Sequence, residues 1–212
     1  MKGHKWFAHT YDFMNRVTGT ETRFMTKHRP MIVGEAEGRV LEVGAGTGAS
    51  FPYYKKAATV IATEPYPYML QKAQERLSEL GLPNIEARQA AAEEMPFEDA
   101  AFDTVVSTLV FCSVSDPSRA MKEVRRVLKP GGTFRFVEHV RDDESWRGRL
   151  QDFIVPLWGW IGAGCHPNRR TLETMKEAGF EVTDLARHKM GGFPVIVGLA
   201  RPNDAGSASA NG

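Results

Sequence analysis

The chain has 212 residues, 42% hydrophobic and 25% charged, which suits one soluble domain with a sizeable core. A net charge of +1 excludes the strong field that nucleic acid or an acidic membrane surface attracts, and two cysteines, Cys112 and Cys165, exclude a disulfide framework and suit a reducing compartment. No run of about 18 apolar residues is present and no signal peptide is evident, so no membrane span is expected and the protein reads as cytoplasmic.

In chain order, 39–43 is a short β-rich run that ends on glycines, and 59–63 ("TVIAT") is a second. The spacing predicts a helix over 68–80, with Met69, Leu70, Ala73, Leu77 and Leu80 on one face, stopped by Gly81 and followed by Pro83. Strands follow at 85–90 and 102–107, then a helix at 118–128 that ends at Pro130-Gly131-Gly132. The alternation "TFRFVEH" predicts a strand over 133–139, and 171–178 a helix closed by Gly179. Two strands, 180–188 and 195–201, finish the body; the tail 203–212 is small and polar, has nothing to bury and is expected to be disordered. Residues 153–164 are the most apolar stretch, broken by Pro156 and glycines and too short to span a membrane.

Strand–helix alternation predicts an α/β fold with a mostly parallel sheet covered by helices on both faces. The closing strand, short link and strand predict a hairpin, and hence an antiparallel last strand.

The first chemical motif is "VLEVGAGTGAS". Glu42 precedes Gly44, Ala45, Gly46 and Gly48, where missing side chains let the backbone approach a ligand and the turn offers free N–H groups. Glu64 ends the next strand, about 20 residues on, where an acid accepts both ribose hydroxyls. Pro65 and Tyr66 would flank an adenine ring. These residues fit NAD and S-adenosylmethionine equally.

Downstream, "AEEMPFEDAAFDTV" resembles the loop and strand A-E-x-x-P-F-x-x-x-x-F-D-x-V of class I S-adenosylmethionine-dependent methyltransferases, including those of ubiquinone and menaquinone pathways. "EVRRVLKPGG" followed by a strand is a further mark of that family. "STLVFCSVSDP", "EHV" and "GCHPNRRT" resemble more narrowly the alkyl thiol S-methyltransferases. The resemblance implies a Rossmann-like seven-stranded sheet in a single domain over 1–202, with 1–38 a helical cover and 141–167 a substrate-lid insertion. It implies S-adenosylmethionine as methyl donor, S-adenosylhomocysteine as product, and a small lipophilic acceptor, a thiol first. It assigns the adenine to the loop at Ala91–Glu93, where Ala91 replaces a frequent Asp and leaves Ala92 and Glu93 to make the contact; it also assigns backbone contact to Leu109. Relatives of the narrower group carry a hydrophobic N-terminal anchor that is not seen here, so only peripheral membrane contact is expected. A monomer or weak homodimer is expected.

By the same resemblance Tyr11, in Tyr11-Asp12, covers the methyl and Cys112 lies beside it. His139 ends a strand that points into the ligand crevice, and its near-neutral pKa suits it to accept a thiol proton. Cys112, His139, Cys165 and His166 match no zinc spacing, so no metal is expected. Trp146, Phe153, Trp158 and Trp160 suggest an apolar lid. Alternatives are a quinone-like phenol or ring carbon, a phospholipid amine, an NAD-dependent oxidoreductase, and a non-catalytic partner that binds S-adenosylmethionine.

Overall fold

A computed structural model of the chain describes residues 20–161 and 165–203. Its elements are α1 (Thr20–Ile32), β1 (Gly38–Val43), a 3-10 turn (Phe51–Tyr53), β2 (Ala57–Thr63), α2 (Pro67–Leu80), β3 (Ile85–Arg88), β4 (Phe102–Thr108), α3 (Pro117–Val127), β5 (Leu128–His139), α4 (Ser145–Ile161), α5 (Thr171–Glu177), β6 (Phe180–Met190) and β7 (Phe193–Pro202). Seven strands form one sheet in the order β3-β2-β1-β4-β5-β7-β6. The first five pair in parallel; β7 runs antiparallel to both β5 and β6. This is the expected sheet with its antiparallel last strand.

The strands are apolar on both faces because both are covered. Leu41, Val43, Val105, Phe134 and Phe136 pack into one core, and Val40, Val60, Ala62, Val106 and Val137 into the other. The order reverses between β1 and β4, so the ligand crevice opens beyond the carboxyl ends of those two strands.

Local chemistry sets the helix ends. Asp116 caps α3, accepting the Arg119 N–H at 3.0 Å, with Pro117 in the first turn. Gly81 closes α2 in the left-handed conformation. Leu80 faces solvent at 41% exposure, off the buried side that Ala73 marks.

Two expectations are corrected. The Pro130-Gly131-Gly132 stretch does not separate α3 from the next strand: β5 starts at Leu128 and passes through it, with a register shift against β4 between Phe102 and Thr104. β3 stops at Arg88, two residues early. Pro156 lies inside α4, where a proline deletes one backbone bond and the flanking turns carry the helix on. Among the described residues no helix is long and apolar enough to cross a membrane. Tyr11, Asp12 and residues 204–212 of the tail lie outside the described residues; of the proposed cover, α1 is described, and Arg135 of β5 donates to its Met31 and Ile32 carbonyls.

Candidate active site

The glycine loop leaves β1 at the crevice. Gly44, Gly46 and Gly48 all have positive φ, +64°, +58° and +76°. Their surroundings differ. A Cβ on Gly44 would lie 2.6 Å from Val110 and one on Gly48 2.2 Å from the Phe51 ring, so these two are glycines because the chain packs there. A Cβ on Gly46 would meet only the Met69 methyl, at 3.9 Å. Gly46 therefore faces open space, with room for a ligand's close approach. The Ala45 N–H donates to the Thr63 carbonyl (2.9 Å) and ties the loop to the end of β2.

Glu64 is 5% exposed. Its Oε2 accepts the Gly46 N–H (2.9 Å) and its Oε1 the Tyr66 N–H (3.1 Å). Burial pushes its pKa up, and these two donors oppose the shift. A carboxylate oxygen has a second lone pair, so Glu64 can hold the loop and still accept a ribose diol. Pro65 follows it, and Tyr66 is 42% exposed at the rim.

Glu42 is 1% exposed, and burial raises its carboxyl pKa to about 7 against the pull of the Ser50 and Tyr54 hydroxyls and the Arg29 charge. No hydrogen bond of ordinary geometry closes on either of its oxygens. A buried acid without full compensation, behind an open glycine cradle and near a second buried acid, fits a ligand with a cationic amino-acid end and a ribose.

Ala92 is buried in the loop after β3. Glu93 has a structural task in the same loop: its Oε1 accepts the N–H groups of Ser115 (2.8 Å) and Asp116 (3.3 Å) and anchors the start of α3.

The far wall is built on Glu138, fully buried near the end of β5. It accepts from the Ser107 hydroxyl and from the N–H groups of Val110 and Phe111, each at 3.0 Å. Burial pushes its pKa up to about 7, although those donors and His139 pull the other way. The same loop holds Leu109 at φ +60°, a strained conformation for leucine; its N–H donates to the Val137 carbonyl at 2.7 Å. Strain of this kind persists only where the surrounding structure holds it, here the Val137 carbonyl and the loop anchored on Glu138.

Held in this way, Cys112 meets His139 and Cys165. Their donor atoms all lie within 4.8 Å of one another, with Cys165 Sγ 3.8 Å from His139 Nδ1. The His166 N–H donates to the Cys112 carbonyl (2.7 Å) and draws the segment after α4 into this cluster. The His166 side chain instead lines an open polar cleft with Arg141, Asp152, Asn168, Arg169 and Arg170. Sequence spacing showed no metal pattern because these residues converge from a loop, a strand end and a second loop.

Of the expected lid, α4 carries its first two aromatic side chains toward solvent. Trp146 is 60% and Phe153 84% exposed, and the Trp146 N–H donates to Glu144. The side chains of Trp158 and Trp160 lie outside the described residues. Glu138, which sequence reasoning passed over, had a signal: it shares the inward face of β5 with Phe134 and Phe136, where an acid is out of place.

Residues 41–136 match the family model described as "Methyltransferase domain". Phosphatidylethanolamine N-methyltransferase from Cereibacter sphaeroides is 36% identical over 159 residues, 74% of this chain and 76% of its own length. The chain belongs to the S-adenosylmethionine-dependent methyltransferase family. S-adenosylmethionine is the methyl donor of that family, and the glycine cradle, Glu42 and Glu64 fit it. Thiol S-methyltransferase TMT1B from Homo sapiens is 35% identical to this methyltransferase over 164 residues, 72% of the chain; the match spans 64% of that relative's length. A crystal structure of a SAM-dependent methyltransferase from Methanosarcina mazei superimposes with a TM-score of 0.64 at 20% identity, covering 80% of this chain and 94% of that one, and shows the shared fold.

Proposed function

We propose that this protein methylates the sulfur of a small lipophilic thiol. The observation that carries the reading is the Cys112–His139–Cys165 cluster, seated at the carboxyl ends of β4 and β5 beside the glycine cradle. Similarity to TMT1B supports the same acceptor. Free Cys112 and Cys165 suit the reducing, cytoplasmic setting expected of it.

S-adenosylmethionine, when bound, supplies an activated methyl group on a sulfonium. The chain's own residues do the rest. Gly46 admits the cofactor's approach, Glu64 accepts its ribose hydroxyls, Glu42 faces its ammonium end, and the backbone at Ala92 and Leu109 borders it. His139 accepts the acceptor's thiol proton, leaving a thiolate, the nucleophilic form of sulfur. Buried Phe111 and Cys112 exclude water, which favours a reaction in which a thiolate and a sulfonium cancel charge. Tyr11 is assigned to cover this face from the N-terminal segment.

His139→Ala is expected to lower kcat for an alkyl thiol by about 100-fold with the Kd for S-adenosylmethionine unchanged, since a positioned base contributes on the order of 10² or more. Steady-state kinetics and calorimetry separate the two quantities. The second reading, a phospholipid amine, draws on the Cereibacter sphaeroides relative. Comparing kcat/KM for alkyl thiols, catechols and phosphatidylethanolamine decides between them; activity confined to the amine would reject the thiol.

A further inference from the structure

We propose that Cys112, His139 and Cys165 form a site for a thiophilic divalent cation, zinc by preference, with the fourth position left open for the acceptor sulfur. This deepens the proposed function and rests on its thiol acceptor. Zinc–sulfur bonds near 2.3 Å and zinc–nitrogen bonds near 2.05 Å make the edges of a tetrahedron about 3.6 Å (sulfur to nitrogen) and about 3.8 Å (sulfur to sulfur). Cys165 Sγ and His139 Nδ1 are 3.8 Å apart, and no two donors exceed 4.8 Å. Small side-chain rotations close that set onto one ion.

Two sulfurs and an imidazole select zinc over magnesium or calcium, which take oxygen. Among the described residues no fourth histidine, cysteine or carboxylate joins the group. Three protein ligands and one open position is the arrangement of catalytic rather than structural zinc. The outer support is present too: Glu138 fixes the Val110–Phe111 backbone that leads into Cys112, and the His166 N–H fixes the Cys112 carbonyl.

Charge completes the case. Two thiolates and a neutral imidazole around Zn²⁺ sum to zero, so an entering thiolate leaves the site at −1, opposite a sulfonium of +1. The acceptor releases its S–H proton to solvent on binding the metal. Its sulfur then forms a bond to the methyl carbon as the carbon–sulfonium bond breaks, and that electron pair stays on the departing thioether, S-adenosylhomocysteine. The methylated acceptor is a neutral thioether, a poorer ligand than a thiolate, and dissociates. In the metal-loaded protein the ion replaces the imidazole in lowering the thiol's pKa, and His139 holds the ion.

The test uses the full chain, stripped with a chelator and kept reduced with a phosphine, titrated with Co²⁺. The expected result is the visible absorption of tetrahedral thiolate-bound cobalt at one equivalent per chain, abolished by added Zn²⁺. Cys165→Ser, a half-exposed position where folding is not at stake, is expected to weaken cobalt binding by about 100-fold or more, Cys112→Ser likewise, and His166→Ala to leave it unchanged. Adding an alkyl thiol is expected to shift the cobalt spectrum, and its S-methyl ether is not. Absence of the tetrahedral spectrum, a Cys112–Cys165 disulfide forming in its place, or a spectrum unmoved by thiol would overturn the proposal. Equal kcat/KM for a thiol in stripped and zinc-loaded protein would overturn it while the thiol reading stands. Failure of the thiol reading would look different: a cobalt spectrum of the expected form and no S-methyl product from any thiol.

Discussion

Glu64→Ala is expected to raise the Kd for S-adenosylmethionine by 100-fold or more, read by calorimetry, with the fold retained. Both carboxylate oxygens hold the cradle, one on the Gly46 N–H and one on the Tyr66 N–H, and each keeps a lone pair for the ribose diol we propose there. Hydrogen bonds to a charged group contribute about 1.5–3 kcal/mol each, so losing the diol contacts alone costs about 3 kcal/mol, and tenfold in Kd is about 1.4 kcal/mol. The freed Gly46 N–H also lets the loop relax, which adds to the loss. Glu64→Gln keeps the shape but turns one acceptor into a donor, so its Kd is expected to fall between wild type and alanine. A Kd unchanged by Glu64→Ala would remove this acid from the site.

The second large effect belongs to Glu138. Glu138→Ala removes the single partner of Ser107, Val110 and Phe111 in a fully buried position and leaves a cavity. Leaving such donors unpaired costs about 1–3 kcal/mol each before relaxation, so a loss of about 3–5 kcal/mol in chemical denaturation is expected. Turnover is expected to fall with it, because Leu109 and Cys112 lose the anchor of their loop. Glu138→Gln isolates the charge. The native carboxyl holds its proton up to about pH 7, whereas its ordinary value is 4.5. Between those values the folded chain binds a proton that the unfolded chain has released. The contribution is therefore fully present below about pH 4.5 and lost as pH rises through about 7, a change of order 3 kcal/mol. Glutamine does not titrate. The thermal midpoint of wild type is thus expected to fall relative to Glu138→Gln between pH 5 and pH 8; a constant difference would refute the raised pKa. Glu42 titrates in the same window in both proteins and cancels from the comparison.

Much of this architecture was legible in the sequence because it rests on local or periodic signals. The run 39–43, the glycines after it and an acid at position 64 describe a strand, a cradle and a second strand end, and the structure has Gly46 bonded to Glu64. The strand pair at the end of the chain announced an antiparallel β7. What escaped was non-local or exceptional. Nothing in the spacing of Cys112, His139 and Cys165 brings them together; that depends on Glu138 bending one loop and on a His166–Cys112 backbone bond closing another. Leucine is a poor candidate for positive φ, so the strain at Leu109 had no sequence signature. Nor did the sequence show that Glu93 would anchor the N–H groups ahead of α3, at 2.8 and 3.3 Å. An aromatic-rich stretch suggested a lid, yet on α4 Trp146 and Phe153 face water.

The proposed reaction runs between two groups of residues: Gly46, Glu64 and Glu42 for the cofactor, and Cys112, His139 and Cys165 for the acceptor. It is tested most directly with S-adenosylmethionine carrying a ¹³C-labelled methyl and an alkyl acceptor that offers a thiol, a hydroxyl and an amine in one molecule. The carbon shift of the product methyl identifies the atom that received it. The account predicts a single S-methyl resonance; label on oxygen or nitrogen, with the thiol left free, would contradict it.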